Sequence, residues 1–125
     1  MKRSIFLVIT AILSALIGVM CLFFPEKLAA GFGVPITPLI LMMSREAGAT
    51  NLSMGILNFF VRNHTDSPSL KIILLFNMIY HLLILPANIY GWSQGIMEIS
   101  QMGPAFIIHL LLALGFLYYT LKIKS

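Results

Sequence analysis

Charge is what this sequence has least of. Only 10% of its 125 residues are charged, with four acidic side chains against eight lysines and arginines. A soluble domain carries about 25% charged residues, so a conventional water-facing globular surface is excluded. A single cysteine rules out an internal disulfide and any CxxC redox or metal pair. Cys21 reads instead as a small, apolar-like residue near the end of the first apolar run. Repeats and low-complexity tracts are absent as well, which excludes solenoid and array architectures. The net charge of +4 needs no nucleic-acid function, because basic residues beside lipid headgroups account for it.

What the chain has instead is apolar length. Apolar residues make up 59% of it, and the mean hydropathy is +0.97. Four apolar runs, near 5–24, 39–61, 72–92 and 104–121, are bounded by charges, proline or glycine. Each approaches the roughly 20 helical residues needed to cross a hydrocarbon core. The expectation is therefore an all-α membrane protein of one domain, with four transmembrane helices in an antiparallel up-down bundle. Lys2 and Arg3 precede the first run as they would in a secretory leader. That run, however, outlasts the roughly 7–15 residues of a signal core, so an uncleaved helix is expected.

Orientation follows from the basic residues. With four spans, Lys2, Arg3, Arg62, Lys71, Lys122 and Lys124 fall on one side and only Lys27 on the other, which predicts both termini in the cytoplasm. The Asn63-His64-Thr65 sequon would then face the cytoplasm and stay unglycosylated. Between the first two runs, "PEKLAAGFGVPITP" predicts a short amphipathic helical segment around 26–30. The tract "SQGIMEISQMGP" has the make-up of an interfacial lid.

Polar residues inside the apolar runs carry the functional reading. On the second run Ser44, Ala47, Gly48, Asn51, Gly55, Asn58 and Arg62 recur at steps of three and four, lining one face. Membrane helices associate through small residues and side-chain hydrogen bonds, so this stripe is expected to face protein. On the third run Asn77, His81, Asn88 and Trp92 share a face. A tight turn near residues 66 and 67 would set Asn58 level with Asn77, Asn51 with His81, and Glu46 with Asn88. Continuing the count through the last loop sets His109 opposite Asn88. Pro86 removes a backbone hydrogen bond to Leu82, and a kink is expected there.

Arg45 and Glu46 are the strongest signal, since an ionisable group at depth costs at least about 2.5–3.5 kcal/mol and usually lines a cavity or finds a partner. The candidate ligand-binding set is Arg45, Glu46, Asn51, His81, Asn88, Trp92 and His109, in an outer-leaflet polar pocket. Two histidines without compact ligand spacing make a weak metal or haem signal; no metal or other cofactor is expected. No nucleophile and base stand at diagnostic spacing, which leans away from an enzyme.

The segments "FFPEKLAAGFG", "REAGATNLSMGILNFF", "NMIYHLLILPANIYGW" and "GPAFIIHLLLALGF", taken in order, resemble the small four-helix bacterial membrane proteins of the DoxX-like superfamily and related families. The resemblance covers nearly the whole chain. It implies a left-handed four-helix bundle in a bacterial inner membrane and, for some members, service as a membrane subunit of quinone-linked or oxidative-stress complexes. Arg45 is the residue it singles out. Expected partners are membrane lipids, a small amphipathic ligand of lipid or quinone type, and a second copy or partner membrane protein. The expected role is a binding or accessory subunit; the alternative is an oligomeric proton-coupled transporter using Glu46.

Overall fold

The computed structural model describes residues 1–124, and every regular element among them is helical. The elements are α1 (Arg3–Phe23), α2 (Pro25–Gly31), α3 (Pro38–Val61), α4 (Pro68–Ser93) and α5 (Ile99–Lys122). Proline and capping side chains set most of the boundaries. Phe24 leaves the helical region because Pro25 follows it, which separates α1 from α2. After α2 the chain turns through Gly33 at φ +65°, and the Val34 N–H closes back on the Ala29 carbonyl at 2.9 Å. The hydroxyls of Thr37 and Ser67 accept from the Ile40 and Leu70 N–H groups, each at 3.2 Å. Each of these caps is followed by a proline at the first helical position, where no N–H is needed. Glu98 and Gln101 form a reciprocal capping box that starts α5.

The expected four-span bundle is overturned. The described residues form five helices, and three of them, α1, α4 and α5, are long and apolar enough to cross a membrane, which marks an integral membrane protein. α3 has the length, at 24 residues, but Ser44, Arg45, Glu46, Thr50, Asn51, Ser53 and Asn58 dilute its apolar character. The assignment of both termini to the cytoplasm rests on four spans, and three qualifying helices do not support it. The interfacial segment after α1 is a helix in its own right. Half of the expected lid is the opening of α5, and α4 runs without interruption through Pro86.

The chain packs as two units, Met1–Asn63 and His64–Ser125. In the first, α1 and α3 run antiparallel with their backbones in contact. A Cβ built on Gly48 would stand 2.6 Å from the Leu22 nitrogen and 2.9 Å from the Gly18 carbonyl oxygen. On Gly18 it would meet the Leu52 nitrogen at 2.6 Å, and on Gly55 the Ala11 carbonyl oxygen at 2.8 Å. Gly48, Gly55 and Asn58 of the small-residue stripe are buried, while Ser44, Asn51 and Arg62 are half-buried and Ala47 is exposed. The Ser44 hydroxyl donates across to the Cys21 carbonyl at 3.4 Å. α2 packs against both long helices, and Pro25 and Ala29 are its buried residues.

The second unit is the pair α4 and α5. Leu70, Leu74, Asn77, His81 and Gly91 are buried on α4, and Ala113, Phe116, Tyr119 and Thr120 on α5. Polar side chains in both units bond to their own helices. Asn51 and Asn77 each donate to the carbonyl four residues back at 2.9 Å. Thr10 and Thr120 donate to Leu7 and Phe116 at 3.0 and 2.8 Å.

The glycine contacts give a direct test of the first unit. Gly48→Leu is expected to destabilise the protein by roughly 1–3 kcal/mol or more, because the clash is with backbone that cannot swing away. Gly31→Ala has open space around it and should change stability by less than about 0.5 kcal/mol. Reversible unfolding in mixed detergent micelles distinguishes the two; equal behaviour would contradict the close-packed interface.

Candidate functional site

The seven candidate residues divide between the units: Arg45, Glu46 and Asn51 lie in the first, and His81, Asn88, Trp92 and His109 in the second. Two side-chain contacts of chemical interest result, one in each unit.

In the first unit the partner of Arg45 is Glu26, not its neighbour Glu46. Adjacent residues on a helix point about 100° apart, so Arg45 is turned to the side where α2 packs. Its Nη2 donates to Glu26 Oε1 at 3.3 Å, with the side chains 47% and 50% exposed. Glu26 stands in the first turn of α2, where a carboxylate is favoured by the helix dipole. Glu46 is exposed, and only its backbone carbonyl is engaged, by the Thr50 hydroxyl at 3.1 Å. Asn51 is half-buried one turn further along, bonded to the Ala47 carbonyl.

In the second unit the two rings of His81 and His109 meet. Their Nδ1 atoms are 2.9 Å apart and their ring centroids 5.2 Å. His81 also stacks on Phe116, with centroids at 5.7 Å and ring planes 16° apart. A hydrogen bond between two ring nitrogens requires one to carry hydrogen and the other to offer its lone pair. Two neutral rings must then adopt opposite tautomers, or one ring must hold an extra proton; two doubly protonated rings cannot keep the contact. Asn88 is half-buried, and its Nδ2 lacks a hydrogen-bond partner among the described residues. Trp92 is exposed.

The expectation that His109 sits opposite Asn88 is corrected by this pairing. Counting the connection from residue 92 to residue 104 overstates it. α4 continues to Ser93 and α5 begins at Ile99, which moves the register by about one helical turn toward the observed partner of His109, His81, two turns from Asn88.

Among the described residues no group of three or more His, Cys, Asp or Glu is placed to hold a metal ion. Two residues escaped the sequence reading. Glu26 was seen only as part of a short amphipathic segment, although an acidic residue just after a helix-starting proline is a readable dipole partner. Phe116 is one of many phenylalanines, and nothing in the pattern marks it as the ring beneath His81.

No family model matches this chain, and neither curated proteins nor solved structures give a match.

The histidine pair yields a double-mutant test. His81→Phe or His109→Phe alone leaves one ring nitrogen unpaired beside apolar groups, whereas the double substitution removes both polar partners. The two losses should be non-additive, with a coupling of about 0.5–3 kcal/mol. Additive losses in the unfolding free energies would mean that the bond contributes nothing.

Proposed function

We propose that this protein is a membrane-embedded binding or accessory subunit. In this reading it holds the head of a small amphipathic molecule, of lipid or quinone type, at the Arg45 end of its first unit. The observation that carries the reading is the state of the Arg45–Glu26 pair: a single contact at 3.3 Å, with both side chains about half exposed. A guanidinium committed through one nitrogen keeps donors for a carbonyl, phosphate or carboxylate oxygen. Neighbouring positions supply apolar surface for a tail, since Phe24, Leu39, Met42 and Met43 are all more than 40% exposed. Few convergent polar groups set in apolar walls are the usual make-up of a small-molecule site.

The resemblance to DoxX-like proteins supports the same reading, with a bacterial inner membrane as the setting and a second copy or another membrane protein as the assembly partner. Glu46 and Asn51 flank the site on α3. His81, Asn88, Trp92 and His109 lie on α4 and α5, and in this proposal they serve the second unit.

Native mass spectrometry of the purified protein, with its co-purified lipid or an added short-chain quinone, tests the assignment. Arg45→Ala should lower the bound fraction roughly tenfold or more, the scale of one charge-assisted hydrogen bond. Arg45→Lys should retain part of it. Undiminished binding in a folded Arg45→Ala protein would remove the proposal.

A further inference from the structure

The antiparallel packing of α1 on α3 leaves the two ends of the first unit unlike in charge: at the α2 end Lys27 and Arg45 balance two carboxylates, and the other end is basic. Glu26 and Glu46, its two carboxylates, lie on α2 and near the start of α3. At the other end, where α1 begins and α3 finishes, stand Lys2, Arg3 and Arg62 with no acidic residue in the first turn of α1. An open groove lies at that end, lined by Ser4, Ile5, Val8, Ile9, Arg62 and Asn63.

The make-up of the groove is amphipathic along its length. Ile5 and Ile9 are 50% and 43% exposed, and together with Val8 they form an apolar wall on α1. Arg62, Asn63 and Ser4 provide the polar part. Arg62 is held in place: its guanidinium lies over the Phe59 ring, 3.7 Å from the centroid, and Nη1 donates to the Phe59 carbonyl at the end of α3. A cation at a helix C-terminus is favoured by the dipole, and its stacking on an aromatic ring lowers the entropy lost when it engages an anion. Its remaining donors are those of a planar fork suited to phosphate. The groove volume is about 260 Å³, below the roughly 300–1,000 Å³ of sites that enclose a small molecule. It suits a headgroup and the first carbons of a chain whose remainder stays in the bilayer.

We infer that this groove is a binding site for an anionic phospholipid, with the phosphate on Arg62, the headgroup hydroxyls toward Asn63 and Ser4, and the proximal acyl chain along Ile5, Val8 and Ile9. The site lies at the opposite end of the unit from Arg45 and does not depend on the role proposed for that residue. The nearby Lys2 and Arg3 add attraction of about 1 kcal/mol per basic residue close to an anionic surface. The fixed geometry at Arg62 is what makes a diffuse attraction into a site.

The test uses the full chain in phosphatidylcholine bilayers containing a minor fraction of phosphatidylglycerol, released into mild detergent for native mass spectrometry. Phosphatidylglycerol should be retained over phosphatidylcholine roughly tenfold beyond their bilayer ratio. Arg62→Gln should reduce that preference several-fold, while Lys27→Gln, which removes an equal charge from the α2 end, should leave it intact. Ile9→Trp, which fills the groove without touching charge, should lower retention and serves if Arg62→Gln does not fold. Equal retention of the two lipids, equal loss in Arg62→Gln and Lys27→Gln, or undiminished binding in Ile9→Trp would each overturn the site. Displacement of the lipid by millimolar inorganic phosphate would assign the groove to a soluble anion and overturn the lipid reading too.

Discussion

The contact between the backbones of α1 and α3 is the constraint on which the first unit depends. Gly18, Gly48 and Gly55 let the two helices approach until a single added carbon would stand 2.6–2.8 Å from main-chain atoms of the facing helix. In lipid, helices gain no hydrophobic driving force from meeting one another, so close packing of small residues supplies the association. That contact sets the rotation of α3, and the rotation decides where every polar residue on it goes. With Gly48 and Gly55 facing α1, Asn58 is buried, Ser44 reaches the Cys21 carbonyl, and Arg45 is turned to the side where Glu26 can reach it. The basic character of the end opposite α2 follows from the same antiparallel register.

The second unit is held by different means. Gly91 is buried but meets only the side chain of Met97, 3.3 Å from its would-be Cβ. α4 and α5 instead bring rings together, His81 with His109 and Phe116. A bond between two imidazoles is directional and dependent on tautomer in a way that apolar packing is not. One unit is thus fixed by backbone shape, and the other carries a polar contact whose hydrogen inventory can change without any change of sequence.

Much of the helical pattern was legible, and the failures have specific causes. The apolar runs locate α1 and α3 to within two residues, because a helix of that length in an apolar sequence leaves few alternatives. The starts of α4 and α5 were placed four and five residues late. Ser67-Pro68 and the Glu98/Gln101 box are readable caps, but they lie in polar stretches that a count of apolar residues passes over. The late start of α5 accounts for about one of the roughly two turns by which His109 is displaced. The span count fails for another reason: run length alone does not suffice, since Arg45, Glu46, Asn51 and Asn58 leave α3 outside the three helices long and apolar enough to cross a membrane. The small-residue face of α3 was visible in its spacing. Its partner helix was not, since spacing within one helix says nothing about which other helix it meets.

The ion pair of Arg45 and Glu26 cannot be what makes the polar residues of α3 tolerable. A half-exposed pair with one contact is worth about 0–1 kcal/mol, less than the cost of placing either charge in a hydrocarbon core. Ser44, Thr50 and Asn51 offset their own polarity by bonding to carbonyls of α1 or α3, whereas Arg45, with its one bond to Glu26, and Glu46 stay exposed. They therefore require water, headgroups or another polar molecule beside them. A helix pinned to α1 by its glycines, rather than by its charges, can keep those two side chains outward at little cost to its own fold. That independence of packing from charge is what leaves Arg45 available to a ligand.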